Sequence, residues 1–207
     1  MGKVILNLGC GKTYIKNAIN VDFFETGYCD KVLDLSKLPW PWEDNSIDEV
    51  YLLHFIEHFD SDRVIAIFKE IYRILKVNGL LHIQCPHFSG MLALTCLDHK
   101  KVFGTATFSL LEGNNYIFSK PLFKKELIKI NVLTTVPSEN KYVDFDFKKT
   151  APNAGEHQIM RKWLWLPMLI IQFLVNLSPL LFERFWCHWV GGADEIIYRG
   201  RKIEDTK

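Results

Sequence analysis

Lys3-Val4-Ile5-Leu6-Asn7-Leu8-Gly9-Cys10-Gly11, near the start of the chain, decides the fold. Lys3 to Leu6 is a short, apolar, β-branched run and reads as a buried strand. A Gly-x-Gly turn follows at once. Gly9 and Gly11 have no Cβ, so the backbone can approach a ligand closely and adopt positive φ. The next apolar stretch, Ala18-Ile19-Asn20-Val21, closes on Asp22. In an α/β protein both features fall at the carboxyl ends of strands, where ligands bind.

Spacing narrows the ligand. A dinucleotide fingerprint needs G-x-G-x-x-G and an acid about 20 residues on. Here Tyr14 takes the third glycine position, and Asp22 comes only 13 residues after Gly9. Lys12 to Asn17 holds hardly more than one helical turn, so pyrophosphate seated on a long helix N-terminus is disfavoured. A cofactor with ribose and adenine but no phosphate fits better, and that points to S-adenosylmethionine.

Three ordered stretches carry a family resemblance: LNLGCGKTYIKNAINVD (6–22), DLSKLPWPWEDNSIDEVYLLHFIEHF (34–59) and IYRILKVNGLLHIQCPHF (71–88), with a fainter fourth in DEIIYRGRKI (194–203). The chain resembles the class I S-adenosylmethionine-dependent methyltransferases, in the small "LNLGCG" branch of the type 11 group. The resemblance implies a Rossmann-like, doubly wound and mostly parallel sheet ending in an antiparallel hairpin. It implies that Asn7, Gly9, Cys10 and Gly11 help bind the cofactor, with Gly9 and Gly11 passing beneath the methionine moiety, and that Asp22 accepts hydrogen bonds from both ribose hydroxyls. Asn7 stands where the family often has an acid. By the same resemblance Asp34 contacts the adenine amino group, the Leu35 amide faces the ring, and His54 lies beside the methionine portion with His58 further along.

For the methyl acceptor, His87 follows the fifth strand, in Cys85-Pro86-His87-Phe88. Asp98 and His99 follow in Leu97-Asp98-His99-Lys100-Lys101-Val102-Phe103, a compressed version of the family's D-x-x-H-x-x-x-F region. An imidazole beside a carboxylate is a candidate base, and a base is needed only for a hydroxyl or charged-amine acceptor. His82 alternates within a strand and reads as a core residue.

Alternating strands and helices support the parallel sheet. Lys31 to Leu33 and Asp48 to Leu53 read as strands. Val64, Ile67, Phe68, Ile71, Ile74 and Leu75 put one face of a helix over about 62–76 in the core. Leu80 to Gln84 is the next strand. Ser119-Lys120-Pro121 predicts a helix over 122–128. Strands are expected over 129–136 and 195–202, with an insertion at about 138–192 inside their hairpin.

With 207 residues and 48% hydrophobic content, one domain with a sizeable core is expected. A net charge of +1 gives no nucleic-acid footprint. Five cysteines without paired spacing argue against a disulfide framework, and no metal is expected. The chain runs straight into its first strand without a signal peptide, so a cytoplasmic location is expected. Trp163 to Phe182 is twenty mostly apolar residues flanked by Arg161, Lys162, Glu183 and Arg184, with Trp186 and Trp189 beyond. The length matches a membrane span, but Pro167, Gln172, Asn176, Ser178 and Pro179 weaken that. Three readings of 163–189 stand: a helical lid, a homodimer surface, and peripheral contact at the inner membrane surface. The expected acceptor is a small or lipid-linked molecule, with a sugar hydroxyl in surface-glycan assembly the first guess; the alternatives are a quinone-like apolar acceptor and a catalytically silent cofactor-binding module or scaffold.

Overall fold

The computed structural model describes residues 2–113, 115–132, 165–189 and 191–204. Its centre is a seven-stranded sheet ordered β3-β2-β1-β4-β5-β7-β6. β1 (Ile5–Leu8) pairs in parallel with both β2 (Ile19–Asp22) and β4 (Ile47–Leu53). β3 (Lys31–Val32) extends the sheet on one side and β5 (Leu75–Pro86) on the other, both in parallel. β7 (Glu195–Lys202) then pairs antiparallel with β5 and with β6 (Phe123–Asn131). The strand order reverses between β1 and β4, which opens a crevice at their carboxyl ends.

The glycine motif begins inside β1, because the strand occupies Ile5–Leu8 rather than the preceding residues. α1 (Ser61–Ile74) starts where Asp60 accepts a hydrogen bond from the Arg63 amide at 2.9 Å. Its buried face carries Val64, Ile67, Phe68, Ile71 and Ile74. The helix stops at Ile74 and the chain turns directly into β5, two residues earlier than the apolar pattern implied. Leu75 pairs with Ile47 and Leu80 with Glu49, so the Asn78-Gly79 region forms an irregularity within a strand and not a separate turn.

The helix expected over 122–128 is not formed. Residues 123–128 are the first two-thirds of β6, and their pairing with β7 from Phe123↔Lys202 onward overrides local helical composition. Of the strand expected over 129–136, Lys129 to Asn131 belongs to β6; residues 133–136 lie outside the described residues, as does most of the first half of the expected 138–192 insertion. Its second half contains α4 (Trp165–Leu177), α5 (Pro179–Leu181), a π-helical turn (Phe182–Trp186) and α5's continuation α6 (Cys187–Trp189), all between β6 and β7 in the chain.

Candidate functional site

β1 ends in a turn that the end of β2 holds in place. The amides of Gly9 and Cys10 both donate to the Val21 carbonyl, at 2.9 and 3.0 Å. Gly9 has φ +70°, and a Cβ there would lie 2.2 Å from Cδ2 of Phe55, whose ring packs on the turn. Gly11 has φ +53°, and a Cβ there would meet nothing within 4 Å. One glycine thus admits a neighbouring ring, and the other faces open space. Cys10 is buried, and burial followed by the nearby Asp22 charge pushes its thiol up to about 12. It is a neutral packing residue here.

The segment from Lys12 to Ala18 forms no helix. Asn20 holds it instead. Its Oδ1 accepts from the Ile15 amide at 2.8 Å and from Asn7 Nδ2 at 2.9 Å, and its Nδ2 donates to the carbonyls of Ile15 and Ala18. Asn7 Nδ2 also donates to the Thr13 carbonyl at 3.0 Å. Asn7 is fully buried, so its amide braces the loop from below.

Asp22, half-buried at the end of β2, accepts the Gly11 amide at 2.7 Å on Oδ2 and the Phe23 amide at 2.7 Å on Oδ1. It therefore sits against the glycine turn with its carboxylate at the open edge. An ionised carboxylate has about four acceptor positions; the Gly11 and Phe23 amides take two, and the Phe24 amide approaches Oδ1 only at 3.4 Å, a contact weak enough for a vicinal diol to replace. These features fit a ribose-bearing cofactor. Asp34, beyond β3, accepts the Ser36 hydroxyl at 2.6 Å and the Ser36 amide at 3.0 Å and pairs with Lys37 at 3.3 Å. The Ser36 hydroxyl is the main reason its carboxyl lies below the ordinary range. Leu35 is buried, and its carbonyl accepts the indole N–H of Trp40 at 3.1 Å.

His54 follows β4 with φ +52°, left-handed backbone at the lip of the crevice. Its Nε2 lies 3.0 Å from Glu195 Oε1 and its Nδ1 lies 3.4 Å from Glu57 Oε1. Burial opposes charge on the ring, but the bond to Glu195 and then the pairing with Glu57 outweigh it and push the pKa up to about 10. His54 is thus an imidazolium at neutral pH, not a base. Gln84 Nε2 donates to the same Glu195 oxygen at 3.1 Å. Glu57 and Glu195 are each 1% exposed.

The candidate acceptor-side residues separate. His87 is 0% exposed. Its Nδ1 meets Ser89 Oγ at 2.7 Å and its Nε2 meets Glu183 Oε1 at 3.2 Å. Glu183 also accepts the Thr105 amide and hydroxyl, each at 2.5 Å. His87 therefore ties the π-helical turn to the sheet and to α3 (Thr105–Ser109), with both ring nitrogens engaged. Asp98 pairs with His58 Nδ1 at 3.2 Å rather than with the adjacent His99. The His58 and His99 rings meet edge-to-face, 5.1 Å between centroids. His82 is fully buried, and burial, then Arg199, lowers its pKa to about 3.

Glu195 was not singled out from the chain alone: it completes the His54 cluster from the far end of the sequence, with no local signal. His58 and His99 were singled out separately, and the structure brings them together beside Glu57.

The apolar segment is built inside out. β6 is an edge strand, and α4 (Trp165–Leu177) covers its open side with polar side chains. Gln172 accepts the Val132 amide at 2.8 Å, and Asn176 accepts the Ile130 amide at 2.8 Å. Both side chains donate back to the Ile130 carbonyl. Leu169, Ile170, Phe173, Leu174 and Leu177 are left on the outside, as are Leu180, Leu181, Phe185, Trp186 and Trp189 further on.

The sheet order and its reversal point make a Rossmann-like, mostly parallel α/β fold with a closing antiparallel pair, and a glycine turn meets a strand-end carboxylate at the reversal point. Residues 6–83 match the family model described as a methyltransferase domain. No curated protein matches the chain. A methyltransferase of Archaeoglobus fulgidus, described as SAM-dependent, is 17% identical with a TM-score of 0.56, over 97% of this chain and 86% of its own. A putative methyltransferase of Bacillus halodurans is 12% identical with a TM-score of 0.56, over 98% and 94%. The [4+2]-cyclase SpnF is 14% identical with a TM-score of 0.51, over 99% and 76%.

Proposed function

We propose that the chain transfers a methyl group from S-adenosylmethionine to an oxygen of a small or lipid-linked acceptor, with a sugar hydroxyl as the first candidate. The observation that carries this is the pairing of the open-faced Gly11 with Asp22 at the switch point of the sheet. The cofactor supplies an electrophilic methyl on a sulfonium. The residues of the chain bind, orient and exclude water. Asp22 takes the ribose diol, the Gly9–Gly11 turn passes beneath the methionine portion, and Asp34 and Leu35 border the adenine. His54 at the lip presents a fixed positive N–H pair, and its neighbours Glu57 and Glu195 keep it so at neutral pH.

The outward apolar face of the C-terminal helices supports the lipid-linked form of the acceptor. Among the described residues no single helix is long and apolar enough to cross a membrane. Leu169–Leu177 and Pro179–Trp189 make a bent apolar pair at 98°, a shape suited to lying in the interface of the inner membrane surface. A homodimer through the same face is the competing use.

Labelled methyl transfer from S-adenosylmethionine into a lipid extract tests the activity. Label in a base-stable, acid-released sugar ether supports it; cofactor binding with no transfer into lipid, polar or protein fractions refutes it. The second reading, a binding module without turnover, is favoured by one observation: His54 is charged and His87 fully engaged, so neither is a free base. Flotation with anionic liposomes tests the membrane contact, and protein left wholly at the bottom removes it.

A further inference from the structure

We propose that Glu57, His58 and His99 form a site for one divalent metal ion of the zinc class at the rim of the crevice. One ligand atom from each of the three lies within 4.8 Å of the other two. Ligand atoms around tetrahedral zinc, with bonds of about 2.0–2.1 Å, stand roughly 3.3 Å apart. Small side-chain rotations therefore close the trio around an ion. The backbone already holds the two parts together. Glu57 and His58 lie on the 3-10 turn Ile56–His58 after β4, and His99 lies on the loop after α2 (Met91–Thr95). The amides of Lys100 and Lys101 both donate to the Glu57 carbonyl, at 2.8 and 3.2 Å.

Three buried atoms on two side chains point to a missing ligand. The Glu57 carboxylate is 1% exposed, and neither oxygen accepts a hydrogen bond. Its one charge contact is the 3.4 Å approach of His54, which Glu195 shares. A buried carboxylate that accepts no hydrogen bond and shares its one cationic neighbour with a second carboxylate is under-compensated. His99 Nδ1 is likewise buried and unpartnered. Asp98, at 3.2 Å from His58 Nδ1, engages that ring as carboxylates engage metal-ligating histidines, leaving Nε2 as the nitrogen for an ion.

The donor set narrows the metal. Two imidazoles and one carboxylate suit zinc and its first-row neighbours such as iron(II), whereas magnesium and calcium take oxygen ligands. Cys96 and Asp98 form a second trio with His99, so a thiol stands nearby as well. Three protein ligands leave a fourth position open for water or an acceptor hydroxyl. A hydroxyl bound there would lose its proton to solvent water more readily, which would supply the activation that His54 and His87 do not. This last role rests on the methyl-transfer reading; the metal site itself does not.

Zinc chloride titrated into the metal-free full chain, read by calorimetry and by competition with a chromophoric chelator, tests the site. One zinc per chain is expected, with His58→Ala and His99→Ala each weakening uptake at least tenfold and Cys96→Ser leaving it unchanged. Glu57 is buried and its variants risk misfolding, so the two half-exposed histidines carry the test, with the thermal melt as the fold check. Absence of stoichiometric zinc, or uptake that survives both histidine variants, overturns the proposal. Uptake lost on Cys96→Ser but kept on His58→Ala also overturns it, because the ion then sits in the other trio. S-adenosylhomocysteine binding is measured in parallel. A chain that binds the nucleoside but not zinc refutes the metal site alone, and one that binds zinc but not the nucleoside refutes the methyltransferase reading alone.

Discussion

Asp22→Ala is the most direct probe of the cofactor crevice. In the wild-type chain Asp22 Oδ2 anchors the Gly11 amide at 2.7 Å, and Oδ1 anchors that of Phe23 at 2.7 Å. Two ribose hydroxyls donating to the remaining positions would each contribute about 1.5–3 kcal/mol, as hydrogen bonds to a charged acceptor. Their joint loss is about 3 kcal/mol at the low end, which weakens binding by roughly a hundredfold. The freed Gly11 amide adds to the loss, because the turn must then be ordered on binding. Calorimetric titration with S-adenosylhomocysteine measures the change, and circular dichroism checks the fold. Asp22→Asn keeps the shape and removes the charge, so an intermediate affinity is expected. A folded Asp22→Ala chain whose affinity stays within threefold of wild type would refute the ribose role.

Gly9→Ala places a methyl 2.2 Å from the Phe55 ring at φ +70°; overpacking of this kind costs about 1–3 kcal/mol, so the melting temperature should fall by several degrees in a thermal scan. Gln172→Leu combined with Asn176→Leu strips the partners from Ile130 and Val132, and hydrogen exchange at those two amides should accelerate while the β5–β7 amides keep their protection. Glu183 is held below its ordinary pKa of 4.5: burial raises it, but the hydrogen bonds from His87 and Thr105 lower it more. A depressed carboxyl contributes stability fully above its unfolded pKa and loses it as pH falls through the folded value. Limited proteolysis within 165–189 should therefore increase below about pH 4.5 and not between pH 5 and 7; Glu183→Gln should cut readily at neutral pH.

What was legible in the chain was local. The β-branched runs ending in Asn7-Leu8-Gly9 and in Asp22, the period of α1 and the bounds of β7 all follow from neighbours in sequence. β6 was not legible, because Lys124-Lys125-Glu126 after Pro121 has helical composition and its partner strand lies far along the chain. The position of His87 past a strand end was readable, but the carboxylate that engages its ring comes 96 residues later. Adjacency also misled: Asp98 stands beside His99 in sequence and bonds His58 across the loop. Gln172 and Asn176 argued against a membrane span as polar interruptions; their partners are the backbone groups of an edge strand, which no side-chain pattern reveals.

β7 begins with Glu195, and Asp194 before it accepts the His87 amide and donates to the Asn131 carbonyl. The strand that follows the outward-facing helices in the chain therefore opens on the counter-ion of His54, so one short stretch of backbone borders both the apolar exterior and the mouth of the crevice.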